Sequence, residues 1–254
     1  MWPFTHHYSL DETGFLKGSV DYHCHILPGV DDGVRNLDKS LAALSFYEEA
    51  GVSEVWLTPH IMEEYPNSTS LLRQGFDKLC AAYNGPLIMH LSSENMLDST
   101  FEQRFYDNDL LPMGEETHLL VETSYFNPPM RLNETLEQIF SHGYFPILAH
   151  PERYTYMSFK DFDRLKDMGV QFQLSIMSLT GAYGFDATVK ARHLLWEGLY
   201  EFYGSDLHRL SAFRNALAAK VLTGKDVNAL QDLKRKAQLE SFESVQESLA
   251  WNVG

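Results

Sequence analysis

Two cysteines in 254 residues are too few for a disulfide framework, and no run of about 20 apolar residues offers a membrane span. The opening residues lack the basic and apolar blocks of a targeting peptide, so the economical expectation is a chain that works in a reducing cytoplasm. Basic residues are scarce. Twenty Lys and Arg stand against 35 Asp and Glu, a formal charge of −15, which opposes contact with nucleic-acid backbones and anionic membranes. A phosphorylated substrate is compatible with that charge if bound cations reverse its sign locally. Pro/Gly/Ser-rich linkers and low-complexity segments are also lacking, so one domain is expected: a leader over 1–18, a core over 19–210 and helices over 211–254.

What is present is globular material, 44% hydrophobic and 22% charged, arranged as a recurring unit of amphipathic helix, glycine and short apolar strand. Asn36 is placed to cap a helix over 37–50, with Leu37, Leu41 and Leu44 on one face, and Gly51 follows as its terminator before a strand over 52–57. The pattern returns at 132–148, 159–174 and 187–203, and more weakly at 70–91 and 100–121. With an opening strand near Val20, this predicts about seven strands and an α/β barrel. Beyond residue 211 the alternation stops. Val227, Leu230 and Leu233, and later Phe242, Val245 and Leu249, have the spacing of packing helices.

Where each apolar run stops stands a metal-ligand residue type: His23 and His25, His60, Glu94, Glu122, His150, then Asp206 and His208. Strand carboxyl ends of a parallel barrel converge on one rim, so residues far apart in sequence meet there. His23 and His25 are two apart on a strand and face the same way, with Cys24 facing the other. Imidazoles bind Zn, Mn or Fe, and carboxylates such as Asp32, Glu94, Glu122 and Asp206 bridge ions, a composition suited to a multinuclear hydrolytic site. A thiolate nucleophile in a phosphate-binding loop is disfavoured on spacing: it needs Arg six residues beyond Cys, and that place holds Val30 after Cys24 and Pro86 after Cys80.

The segment Asp21-Tyr22-His23-Cys24-His25-Ile26-Leu27-Pro28-Gly29-Val30-Asp31-Asp32-Gly33, with Thr58-Pro59-His60, His150-Pro151-Glu152-Arg153-Tyr154 and Ser205-Asp206-Leu207-His208, resembles the polymerase and histidinol phosphatase (PHP) superfamily. Within it, the chain is most similar to bacterial tyrosine-protein phosphatases of capsular and exopolysaccharide synthesis. The resemblance implies a distorted (βα)7 TIM-like barrel with extra C-terminal helices and a centre of three divalent ions. Manganese is the expected metal, with Fe, Zn or Mg as alternatives. It implies His23, His25, Asp32, His60, Glu94, Glu122, His150, Asp206 and His208 as ligands, with Asp31 as a supporting loop residue. Glu94 stands in an undistinguished context, and Ser175 occupies a place where related phosphatases lead one to expect Asn.

The implied reaction is hydrolysis of tyrosine phosphate by a metal-bound hydroxide. Its implied substrate is the tyrosine-rich tail of a bacterial tyrosine kinase. A histidinol-phosphate-like small-molecule phosphoesterase and a non-catalytic kinase-docking module are the alternatives. Arg153, Asp206 and His208 are the candidate catalytic residues, with Arg153 suited to clamp phosphoryl oxygens through its planar fork. Arg209 and Arg214 compete for a second phosphate-binding role. Tyr65, Tyr125, Phe126, Tyr154 and Tyr183 fall in loops after strands, where they either stack on a phosphotyrosyl ring or pack the rim.

Overall fold

A computed structural model describes residues 6–114 and 117–239. Nine strand segments are present among the described residues: β1 (Val20–Cys24), β2 (Glu54–Leu57), β3 (His60–Ile61), β4 (Ile88–Leu91), β5 (Glu94–Met96), β6 (His118–Glu122), β7 (Phe145–Ala149), β8 (Gln171–Ser175) and β9 (Phe202–Gly204). They form seven staves, because β2 and β3, like β4 and β5, belong to one path interrupted by two residues. At the first break Pro59 has no N–H to give to a ladder. At the second the Ser92 amide still donates to the Leu57 carbonyl at 2.8 Å while its hydroxyl donates to the Leu111 carbonyl at 2.7 Å.

The strands pair in parallel as β1-β2-β4 and as β3-β5-β6-β7-β8-β9. β9 then returns to β1. The Asp206 amide donates to the His23 carbonyl at 2.8 Å and the His25 amide to the Leu207 carbonyl at 2.9 Å, completing a distorted TIM-like barrel. Gly204 makes that approach feasible, since a Cβ there would lie 2.4 Å from the His23 Cβ.

The crossovers are α2 (Leu37–Ala50), α3 (Thr69–Ala82), α4 (Phe101–Tyr106), α5 (Leu132–Ser141), α6 (Phe159–Asp167) and α7 (Phe185–Trp196), preceded by the short α1 (Leu10–Thr13). Asn36 caps α2 through Lys39, and Gly51 ends it with φ 78°, as the sequence pattern predicts. The buried stripe of α2 is Ser40, Ala43, Leu44 and Tyr47, whereas Leu37 is 40% exposed. Within that stripe the Ser40 hydroxyl donates to the Ile26 carbonyl at 2.7 Å.

The leader region is packed where it is described. Tyr8 pairs with Leu222 across an antiparallel bridge, and the buried Phe15 meets Tyr203 edge to face. After β9, α8 (Leu210–Ala218) and α9 (Gly224–Leu239) close the chain's described part, with Leu230 and Leu233 buried. The helical spacing of Phe242, Val245 and Leu249 lies outside the described residues. No helix among the described residues is long and apolar enough to cross a membrane.

Candidate metal centre

His23 and His25 leave the carboxyl end of β1, Glu122 ends β6, His150 follows β7, and Asp206 and His208 follow β9. His60 and Glu94 differ from the strand-terminal positions expected of them. Each opens the second segment of an interrupted stave, and the register sets them opposite one another. The breaks at 58–59 and 92–93 therefore deliver two inward side chains at rim height. His150 and Asp206 hold left-handed backbone conformations, φ 36° and 53°, which cost a non-glycine residue of order 1–3 kcal/mol and persist where surrounding structure enforces them. Gly33 is needed for a different reason: a Cβ there would meet the His25 carbonyl oxygen at 2.2 Å.

All nine proposed ligand residues come together. Their donor atoms fall into four overlapping sets: His25, Asp32, His60 and His208; His23, Glu94 and His150; His23, His25 and Asp206; and His60, Glu94 and Glu122. Within each set the atoms lie within 4.8 Å of one another. Seven of the nine are buried; Asp32 and His208, with side chains 52% and 25% exposed, form the open side.

Outer partners fix the imidazoles. His23 Nδ1 lies 2.6 Å from Gln173 Oε1, His25 Nδ1 lies 2.9 Å from Asp31 Oδ2, and His208 Nδ1 lies 2.9 Å from the Asp206 carbonyl oxygen. Each partner is an acceptor, so each Nδ1 carries the proton and each Nε2 turns a lone pair inward. His23 Nε2 and His25 Nε2 then face each other at 2.9 Å. Two lone pairs at that distance repel unless a cation or a proton stands between them. His60 Nδ1 and Glu122 Oε1 are 2.9 Å apart yet not aligned as a hydrogen bond, and both are buried without a hydrogen-bond partner. Buried polar atoms are normally satisfied, so convergent unsatisfied ones mark a place for a ligand. The donor set of imidazole and carboxylate fits divalent transition ions.

The electrostatics agree. Burial drives the Glu94 carboxyl upward, but the charges of His23 and His60 outweigh it and hold Glu94 ionised. Glu122, deprived of water and beside Glu94, is pushed up to about 7. Burial works against protonated His60, yet Glu94 and Glu122 lift it to about 12, while His23 rises to about 9 for similar reasons. Without ions, protons thus neutralise a pit of acidic groups, and these are the protons that metal binding displaces.

Arg153 reaches into the rim, its Nη1 2.7 Å from Asp206 Oδ2. Its guanidinium lies 4.3 Å from the Tyr125 ring centre and 4.0 Å from that of Tyr183. The five aromatic residues that follow strands take different places. Tyr125 and Tyr183 sandwich Arg153, and Tyr154 is buried with its hydroxyl donating to the Ala149 carbonyl at 2.9 Å. Tyr65 lies over His60, and Phe126 is 71% exposed. Arg214 stacks on Phe46 of α2, 5.0 Å from its ring centre, and Arg209 is exposed at the start of α8. Neither arginine makes a hydrogen bond or ion pair with the cluster among the described residues. Cys24 faces away as expected, its thiol 3.4 Å from the Trp56 carbonyl oxygen.

Sequence reasoning passed over two acids. Asp21 accepts from the Ser205 amide at 2.8 Å and from the Tyr47 hydroxyl at 2.5 Å, directly behind His23. Glu152 accepts from the Ser175 amide, the Ser178 hydroxyl and the Tyr200 hydroxyl at 3.0, 2.6 and 2.9 Å. The available signal was an acid flanked by apolar strand residues in one case and by a ligand histidine and Pro151 in the other.

The family model for capsular polysaccharide synthesis, CpsB/CapC, matches residues 19–223. The tyrosine-protein phosphatase YwqE of Bacillus subtilis (strain 168) is 26% identical over 197 residues, 75% of this chain and 78% of that protein. The tyrosine-protein phosphatase CpsB of Streptococcus pneumoniae is 24% identical over 212 residues, 76% of this chain and 84% of that protein. The crystal structures of YwqE and CpsB, described as unique metal-dependent tyrosine phosphatases, supply a chain that superposes with a TM-score of 0.75 at 24% identity. The superposition covers 88% of this chain and 92% of that one, a likeness of fold.

Proposed function

The chain belongs to the CpsB/CapC family of capsular polysaccharide synthesis, and from that premise we propose that it is a metal-dependent phosphotyrosine-protein phosphatase. The observation that carries this reading is the inward convergence of unsatisfied imidazole and carboxylate atoms beside a clamped arginine. His23, His25, Asp32, His60, Glu94, Glu122, His150, Asp206 and His208 hold divalent ions, three in number and manganese by preference. The substrate is a phosphotyrosyl protein, and the tyrosine-rich tail of a kinase acting in capsule or exopolysaccharide regulation, in the cytoplasm, suits a site open on one side.

Ions held there supply Lewis acidity, which activates water near neutral pH and engages phosphoryl oxygens. The chain's own contribution is positional. Gln173, Asp31 and the Asp206 carbonyl lock three imidazoles with Nε2 inward, so that little reorganisation accompanies the reaction. Arg153 has one N–H engaged by Asp206 and presents the rest of its fork for phosphoryl oxygens. The open side at Asp32 and His208 admits the phosphoester, and His208 is the partly exposed imidazole there for proton exchange with solvent. A tyrosine leaving group, with a pKa near 10, makes weak demands on a general acid.

The test is hydrolysis of a phosphotyrosyl peptide by chain stripped with chelator and refilled ion by ion. Activity that returns only with metal is expected. Preference for a small alkyl phosphate would favour a small-molecule phosphoesterase, and metal binding without turnover of any phosphoester would favour a docking module.

A further inference from the structure

Asp206 turns one carboxylate oxygen to residues outside the four donor sets and the other to the histidines within them. Oδ2 accepts from Arg153 Nη1 at 2.7 Å and from the Tyr183 hydroxyl at 3.0 Å. Oδ1 instead lies 3.7 Å from His23 Nε2, 3.6 Å from His25 Nε2 and 3.4 Å from His208 Nδ1. The orientation of this carboxylate is therefore divided between the arginine side and the histidine side. Tyr183 also lays its ring on the Arg153 guanidinium, opposite Tyr125. The Tyr125 ring in turn stacks on that of buried Tyr154, with centres 6.1 Å apart at 25°.

We propose that Tyr183 is a positioning residue with two separable tasks. Its hydroxyl occupies Asp206 Oδ2 and so reserves Oδ1 for the metal centre; its ring, with that of Tyr125, fixes the plane of Arg153 so that the free edge of the fork meets phosphate. The phenol is the donor in this contact, because a carboxylate oxygen can only accept. The Tyr125 hydroxyl makes no hydrogen bond among the described residues, which leaves that residue with the second task alone. The assignment rests on the metal-centre reading of the cluster and of Arg153 as a phosphate ligand.

The tasks are separated by Tyr183→Phe, Tyr183→Leu and Tyr125→Leu in the full chain. Mn2+ affinity is measured by competition with a chelating dye, and inorganic phosphate affinity is measured on the Mn2+-loaded protein. Removing a group that orients a metal ligand weakens metal binding about 10–100-fold, and Tyr183→Phe is expected to show that loss with phosphate affinity kept. Tyr125→Leu is expected to show the converse, phosphate weakened roughly 3–30-fold at unchanged Mn2+ affinity. Tyr183→Leu shows both. Wild-type Mn2+ affinity in Tyr183→Phe overturns the first task, and equal phosphate affinity in Tyr183→Leu and Tyr183→Phe overturns the second. A wild-type chain that binds no Mn2+ overturns the whole assignment. If it binds Mn2+ but hydrolyses no phosphotyrosyl peptide, the phosphatase reading fails while the variant affinities still decide the positioning.

Discussion

Two buried polar clusters lie within a few residues of each other in this barrel, and they are built on opposite principles. In the first, Asp21 takes the Tyr47 hydroxyl and the Ser205 amide, and Ser205 in turn reaches the His23 carbonyl at 3.2 Å. Every polar group there has a partner from the chain itself. In the second, the histidine and carboxylate pit at the rim, His23 Nε2 faces His25 Nε2 at 2.9 Å, and His60 Nδ1, Glu122 Oε1 and His150 Nδ1 have no hydrogen-bond partner. A cluster that satisfies itself is scaffold; one that does not is shaped around something else. The Asp21 network props the strand end from which His23 and His25 project, so the satisfied cluster holds the unsatisfied one in place.

The contrast is broken most severely at Glu94, whose carboxylate belongs to two of the four donor sets. Glu94→Gln is expected to lower phosphotyrosyl-peptide turnover roughly 10³-fold, the scale for losing a group that supports transition-state charge. Steady-state assays with saturating metal check this. Breaking the satisfied cluster gives the opposite signature. Tyr47→Phe strips the buried Asp21 carboxylate of a donor and is expected to cost about 1–3 kcal/mol of stability while leaving the number of ions bound unchanged, as read by denaturant unfolding and metal analysis.

A smaller effect sharpens the difference between the rim and the far end of the barrel. His118, at the start of β6, is buried, and loss of hydration pulls its pKa down to about 4. The unfolded chain therefore binds the extra proton between about 6.5 and 4, and stability falls as pH drops through that window. At pH 5.5 the loss is about 1.4 kcal/mol. His118→Phe should flatten this part of the pH–stability curve in chemical unfolding experiments. The smallest effect belongs to Cys24: its thiol is buried, with a pKa driven up by loss of water, and it faces away from the pit. Cys24→Ser is expected to keep activity within about a factor of two.

Much of this was legible from residues alone where the pattern was local. The α2 cap and terminator, the shared face of His23 and His25, and the outward turn of Cys24 follow from short-range periodicity. The staves could be counted, but the two breaks at 58–59 and 92–93 could not be seen, because segments as short as His60–Ile61 carry no period. That hid the reason His60 and Glu94 reach the rim. On α2 the leucine spacing finds Leu44 in the core and Leu41 packed against it, while Leu37 at the first turn stays exposed. The roles of Tyr125 and Tyr183 depend on an arginine 28 and 30 residues away from them, and no local signal announces a sandwich closed by three loops.

The central claim is that the unsatisfied cluster is a metal centre, and calorimetric titration of Mn2+ into the stripped chain, followed by thermal unfolding with and without chelator, tests it most directly. Binding of more than one ion per chain is expected. With free ion at 100 times its dissociation constant, each site adds about 2.7 kcal/mol of stability, a rise of several degrees in Tm that chelator abolishes. No heat of binding and a Tm indifferent to metal and chelator would contradict the account, and would mean that protons alone satisfy the pit.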